Sequence, residues 1–133
     1  MEPQSSTPNK PAGATIVVVD DDSLMRRLVG RTLKDAGYNV WTVEGAQSVT
    51  ALFEKLGGAV DVLLTDVAMP DRAGSDLAAD IRRRYPSTRI VYMSRYAPDE
   101  LSAYGIDALG VFLLTKPFTP PQLLEMIRDV LGG

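Results

Sequence analysis

Asp20, Asp21 and Asp22 stand together directly after the apolar stretch 16–19, and Asp66 follows a second such stretch that ends at Thr65. Ser94 follows a third that ends at Met93, and Thr115 and Lys116 a fourth that ends at Leu114. Carboxylates gathered in one place repel one another, and a hard divalent cation with oxygen ligands and retained waters is their natural neutraliser, which suits Mg²⁺. Lys116 sets a point positive charge beside them. The chain has no histidine and no cysteine. That removes the commonest general base, the commonest transition-metal ligand, any histidine phosphoryl carrier, any thiolate zinc site and any disulfide framework. What remains is the chemistry of carboxylates, hydroxyls, lysine and a hard metal. Asp22 and Ser23 have a plainer use, because either is a sound N-cap and negative charge there favours the helix dipole.

These residues meet only if the stretches before them are strands of one sheet. Short β-branched runs at 16–19, 40–43, 60–65, 90–93 and 111–114 read as buried strands. Apolar runs without alternation are what a parallel sheet covered on both faces requires. Between them lie helical stretches at 23–36, about 47–56, 75–84, near 98–104 and 120–131. The first carries Leu24, Leu28 and Leu33 and stops at Gly37, and the last has Thr119 as N-cap with prolines in its first turn. Right-handed crossovers between successive βα units then give an α/β fold with a parallel sheet and helices on both faces. Ligands of such folds sit beyond the carboxyl ends of the strands, where the polar residues lie.

At 133 residues the chain predicts one domain, and 45% hydrophobic with 23% charged residues suits an ordinary globular core. Fourteen basic against seventeen acidic residues, a net charge of −3, and the lack of a basic stripe argue against direct nucleic-acid binding. Residues 1–14, with Pro3, Pro8, Pro11, Gly13 and the Ser5-Ser6-Thr7 cluster, read as a flexible tail, which leaves 15–133 as the domain. No stretch reaches the roughly 18 apolar residues of a membrane span, so no membrane role is expected and the cytoplasm is the default location. Trp41 reads as a core or sheet-face aromatic, Arg26-Arg27 as a solvated helix face, and Arg82-Arg83-Arg84 as cations at a helix C-terminus.

Val17-Val18-Val19-Asp20-Asp21-Asp22, Leu64-Thr65-Asp66-Val67-Ala68-Met69-Pro70 with Gly74 following, Tyr92-Met93-Ser94, and Lys116-Pro117-Phe118-Thr119 together resemble the receiver domain of two-component response regulators. The resemblance covers about residues 15 to 131. The stretches 92–96 and 116–120 are most similar to receivers of hybrid histidine kinases. The resemblance implies a doubly wound, flavodoxin-like (βα)5 fold with strand order 2-1-3-4-5. It implies a signalling domain rather than an enzyme, in which Asp66 accepts a phosphoryl group from a phosphohistidine on a histidine kinase or histidine phosphotransfer protein. Asp21, Asp66 and the backbone carbonyl of Ala68 are the implied direct ligands of Mg²⁺, with Asp20 acting directly or through water. Lys116 is implied to pair with Asp66 before the reaction, and Ser94 to donate its hydroxyl to the phosphoryl group. Met69 and Pro70 then shape the loop, Gly74 permits the turn into the third helix, Pro117 follows a cis peptide, and the first helix is the surface for the phosphodonor.

The chain departs from that pattern in two places. Leu113 stands where receivers commonly carry a switching Tyr or Phe, with Phe112 one place off and so on the opposite sheet face. Arg95 stands where a small residue usually follows the switch hydroxyl. These two join Ser94 as candidate switch residues, and the loop from Ser94 to Asp99 is expected to move more than the surroundings of Leu113. Two alternatives remain from the residues alone. One is a receiver-like scaffold that binds partners without phosphorylation. The other is a haloacid-dehalogenase-type phosphatase, for which Asp20-Asp21-Asp22 contains an Asp-x-Asp but only Glu125 and Asp129 follow the lysine, inside the last helix.

Overall fold

In the computed structural model, which describes residues 13–107 and 110–132, strands and helices alternate as the apolar runs require. The order is β1 (Thr15–Val19), α1 (Ser23–Asp35), β2 (Asn39–Val43), α2 (Ala46–Lys55), β3 (Val62–Asp66), α3 (Gly74–Arg84), β4 (Arg89–Ser94), a 3-10 helix (Pro98–Tyr104), β5 (Phe112–Thr115) and α4 (Pro120–Val130). The five strands form one parallel sheet in the order β2-β1-β3-β4-β5. This is the doubly wound order that the motifs imply.

Local chemistry sets the helix ends. The Asp22 side chain accepts the N–H groups of Leu24 at 3.0 Å and Met25 at 3.2 Å, which caps α1. Gly37, at φ +98°, lets the Tyr38 N–H reach the Leu33 carbonyl and closes the helix. Thr119 and Gln122 bond each other's backbone N–H in a capping box at the start of α4, where Pro120 and Pro121 supply no N–H. The first turn of α2 is served from a distance: Asp71, in the loop after β3, accepts the N–H groups of Ala46 at 3.3 Å and Gln47 at 2.9 Å. The Gln47 N–H holds the Asp71 carboxyl below its ordinary pKa. Its contribution to stability is therefore present above the ordinary carboxylate range and is lost as pH falls through the lowered pKa. Asp71→Ala should cost about 1 kcal/mol, as loss of a cap does. Urea melts at neutral pH and at acidic pH check it, with the gap between parent and variant closing in acid.

Side chains alternate between two apolar layers across the sheet. Ile16, Val18, Val62, Leu64, Val91, Met93 and Leu114 pack with Leu33 of α1 and Leu123 and Ile127 of α4. Val17, Val19, Leu63, Ile90 and Tyr92 pack with Phe53 of α2, Leu77 and Ile81 of α3, and Leu101 of the 3-10 helix.

Several expectations are corrected by this packing. The strands are not all buried on both faces, because β2 and β5 are sheet edges and are largely half-exposed or exposed. Trp41 on β2 is accordingly 40% exposed and lies under the Lys55 ammonium, 5.9 Å from the ring centre, so of its two expected places it takes the sheet face, at the sheet's edge, and not the core. In α1 the buried face is Val29, Gly30 and Leu33, while Leu24 is 73% and Leu28 49% exposed. The fourth helical stretch is a 3-10 helix. The expected tail boundary at residue 14 is one or two residues too late: the Gly13 N–H bonds the Gly37 carbonyl, and Ala14 is fully buried and accepts the Asn39 N–H. The rest of the expected tail, residues 1–12, lies outside the described residues.

Candidate functional site

Strands of a parallel sheet end on a common edge, so the residues that close β1, β3, β4 and β5 share one rim. Asp66 and Ser94 prove to be the last residues of β3 and β4 and not the first residues after them. The Val67 N–H bonds the Met93 carbonyl at 3.1 Å, and the Lys116 N–H bonds the Ser94 carbonyl at 2.7 Å, which fixes the three loops against one another. The Lys116–Pro117 peptide is cis, as the motif implies.

Carboxylate oxygens of Asp20, Asp21 and Asp66 lie within 4.8 Å of one another. Asp20 is fully buried, Asp66 nearly so, and Asp21 is exposed at the mouth. The Asp20 Oδ1 accepts the Asp22 N–H at 3.0 Å, and its Oδ2 accepts a bond from Lys116 Nζ, also at 3.0 Å. The same ammonium is 3.6 Å from Asp66 Oδ2. Lys116 thus pairs with Asp66, as the resemblance implies, and more closely with Asp20.

Burial pushes the Asp66 carboxyl above its ordinary pKa; Lys116 opposes that shift, and the neighbouring Asp20 and Asp21 add to it. With its folded pKa raised, Asp66 favours the folded state while protonated, and that contribution disappears as pH rises through the raised pKa. In the absence of divalent metal, Asp66→Asn should therefore be more stable than the parent at neutral pH by on the order of 1 kcal/mol, and no more stable in acid below the ordinary carboxylate range. Thermal melts at the two pH values check it. A rise that persists unchanged in acid would show that charge is not its cause.

Three carboxylates against one ammonium leave excess negative charge on an oxygen-only donor set, and one of the carboxylates is open to solvent. That combination fits a hard divalent cation. Ala68 lies half-buried just beyond Asp66, on a loop closed by an antiparallel bridge to Ala73. Gly74 opens α3, as expected, and the reason is close approach. Its backbone is not in the left-handed region. A Cβ there would lie 2.3 Å from the Asp66 carbonyl oxygen and 3.0 Å from that of Val67. The glycine is required for close approach of α3 to the Asp66 backbone.

Ser94 is buried; its Oγ accepts the Tyr96 N–H at 2.8 Å and donates to the Tyr96 carbonyl at 3.3 Å. Arg95 is exposed. Leu113 lies beside Tyr92 and packs into the α2/α3 layer, while Leu114 packs into the other, so Phe112, 41% exposed, is on the opposite face from Leu113. Arg26, expected on a solvated helix face, is drawn to the acidic loop instead. It is half-buried, and its Nη1 bonds the Asp20 carbonyl at 2.7 Å, holding the acidic loop from α1. Its place one turn into the helix after that loop is the only signal for it in the sequence.

The model of the response regulator receiver domain family matches residues 16–128. The sensor kinase CckA of Brucella abortus is 32% identical over 119 residues, which are 89% of this chain and 12% of that protein. The DNA-binding transcriptional regulator NtrC of Azospirillum brasilense is 34% identical over 124 residues, 92% of this chain and 25% of that protein. The chain thus spans a quarter or less of the length of these relatives. Chemotaxis protein CheY1 of Helicobacter pylori is 35% identical over 121 residues, 88% of this chain and 96% of that protein. Among solved structures, the chemotaxis protein CheY4 of Vibrio cholerae superposes with a TM-score of 0.79 at 33% identity, covering 90% of this chain and 99% of that one. Among the described residues, no helix is long and apolar enough to cross a membrane.

Proposed function

This chain belongs to the response regulator receiver family, a family of signalling domains, and on that premise we propose that Asp66 is its phosphoacceptor. The observation that carries the reading is the convergence of Asp66 with Asp20, Asp21 and Lys116 at one end of the sheet. A carboxylate is a modest nucleophile, so acceleration must come from position and charge. An Asp66 oxygen attacks the phosphorus of a phosphohistidine; the O–P bond forms, the P–N bond breaks, and the imidazole leaves with the electron pair. Lys116, bonded to Asp20 and 3.6 Å from Asp66, offers its ammonium to the phosphoryl oxygens. Asp20, Asp21, Asp66 and the Ala68 carbonyl are the proposed holders of Mg²⁺, which when bound supplies charge neutralisation for the incoming group. Ser94 offers the hydroxyl that senses the product. The domain in this reading promotes only its own phosphorylation and dephosphorylation. A histidine kinase or histidine phosphotransfer protein is the proposed donor, the cytoplasm the proposed location, and α1, with Leu24 and Leu28 exposed, the proposed surface for that donor. No direct contact with nucleic acid or membrane is proposed.

Intact-mass measurement after treatment with acetyl phosphate tests the reading. One phosphoryl group is expected with Mg²⁺ and none after chelation. A protein that stays unmodified with Mg²⁺ present overturns it in favour of the phosphorylation-independent scaffold. Membership of the receiver family sets aside the haloacid-dehalogenase reading.

The acidic loop divides its labour. Asp21 faces the mouth with Asp20 and Asp66, whereas the Asp22 carboxylate is engaged by two N–H groups of α1. Asp21→Ala should weaken Mg²⁺ binding by about tenfold or more, and Asp22→Ala by far less. Calorimetric titration of both variants decides it, and equal losses would mean that the cap and the ligand have been assigned to the wrong residues.

A further inference from the structure

The hydroxyl expected to meet a phosphoryl group on Asp66 is already engaged. Both of its bonds, at 2.8 and 3.3 Å, go to the main chain of Tyr96, so Ser94 Oγ follows wherever Tyr96 is held. Tyr96 is held by its ring, which stacks on Tyr104 with centroids 4.6 Å and planes 23° apart. Tyr104 is in turn tied to α3, because its carbonyl accepts the Ser75 hydroxyl at 2.9 Å.

The element that carries Tyr104 is poorly held by its own backbone. A 3-10 helix of 7 residues is long for that geometry, whose hydrogen bonds are weaker than those of an α-helix. It stays in place through side chains: Leu101, fully buried, and the Tyr104 stack. Such elements shift at low cost. Leu113, Tyr96 and Tyr104 all pack on the same apolar layer, where Leu113 offers no ring that could change places.

We propose that Tyr104 is the positioning residue for the Ser94 hydroxyl, acting through the stacked ring of Tyr96 to hold the 94–97 loop where the hydroxyl is bonded to the Tyr96 backbone. The consequence for signalling rests on Asp66 being the phosphoacceptor. A phosphoryl oxygen on Asp66 then accepts the Ser94 O–H hydrogen bond in place of the Tyr96 carbonyl, the longer of its two bonds. The loop follows the hydroxyl, and the Tyr96–Tyr104 stack yields. Because Tyr104 is joined to Ser75, the change reaches both the 3-10 helix and α3. The two rings serve as the two-position element in place of an aromatic at Leu113.

Amide hydrogen exchange of Tyr96, measured by NMR without metal or phosphoryl mimic, tests the positioning directly. Tyr104→Ala should speed exchange about three- to tenfold, the loss expected for one aromatic pair, and Tyr104→Phe should leave it near the parent rate. Calorimetric titration with beryllofluoride in saturating Mg²⁺ tests the consequence. Tyr104→Ala should bind the mimic about three- to tenfold more tightly than the parent, and the gain should vanish when Ser94→Ala is combined with it. If Tyr104→Ala loses its cooperative melt, Tyr104→Leu replaces it in both measurements. Unchanged Tyr96 exchange in the ring-less variant overturns the proposal. A parent protein that binds no beryllofluoride overturns the phosphoacceptor reading instead, and the exchange result still decides whether Tyr104 holds the hydroxyl.

Discussion

Asp66→Ala should take up no phosphoryl group from acetyl phosphate and Mg²⁺ under conditions in which the parent protein takes up one. The other acidic residues of the cluster are poor substitutes. Asp20 is fully buried, with one oxygen bonded to the Asp22 N–H and the other to the Lys116 ammonium. Asp21 is exposed, and its carboxylate lacks the sheltered position that makes a weak nucleophile effective. Asp66 combines near-complete burial with a lysine at 3.6 Å and a place at the end of β3, the middle strand of the sheet. Asp66→Asn should fail in the same way while melting above the parent, which separates loss of the nucleophile from loss of the fold. Intact-mass spectrometry reads the result. Undiminished labelling of Asp66→Ala would move the acceptor elsewhere.

Gly74→Ala should produce the largest loss of stability among single substitutions near the site. The added methyl carbon has no flexible neighbour to displace. It would meet the Asp66 carbonyl oxygen at 2.3 Å and the Val67 carbonyl oxygen at 3.0 Å, both on backbone held in β3 or its exit. The Gly74 N–H also bonds the Val67 carbonyl at 2.8 Å, so α3 cannot back away without breaking that bond. Overpacking of this kind costs about 3 kcal/mol, or roughly 10 °C in melting temperature for a domain of this size. Whatever relief occurs must shift the Asp66 backbone, so Mg²⁺ binding should weaken along with the fold. Thermal melts and a metal titration on the same sample check both. A variant that melts with the parent would show that the helix start relaxes freely.

Much of this molecule is local, and the local part could be read from the residues in order. Apolar runs of strand length, the stop at Gly37 and the capping signals at Asp22 and Thr119 each concern neighbours in sequence, and each appears in the structure at or near its expected place. The polar residues that close those runs, Asp20, Asp66, Ser94 and Lys116, had to share a rim once the sheet was parallel, since parallel strands put their carboxyl ends together.

Other properties depend on distances between segments far apart in the chain, and only the tertiary structure decided them. The order β2-β1-β3-β4-β5 was implied by the motifs taken together, but how far its edge strands stand open to solvent was not, since composition treats Val40 and Val18 alike. The same holds for α1, where Leu24 and Leu28 project into solvent because the helix turns Val29 and Leu33 toward β1 and α4. Asp71 capping α2 and Lys116 lying closer to Asp20 than to Asp66 are contacts between separate loops, while Arg26 reaching the Asp20 carbonyl and Gly74 pressed on the Asp66 backbone join residues nearer in sequence through the way a helix packs on a strand end. The sequence by itself determined the kind of sheet and the chemistry at its rim, because periodicity and strand ends are encoded residue by residue. The tertiary structure decided which group holds which, because a shift of an ångström or two between packed loops changes a partner without changing any residue.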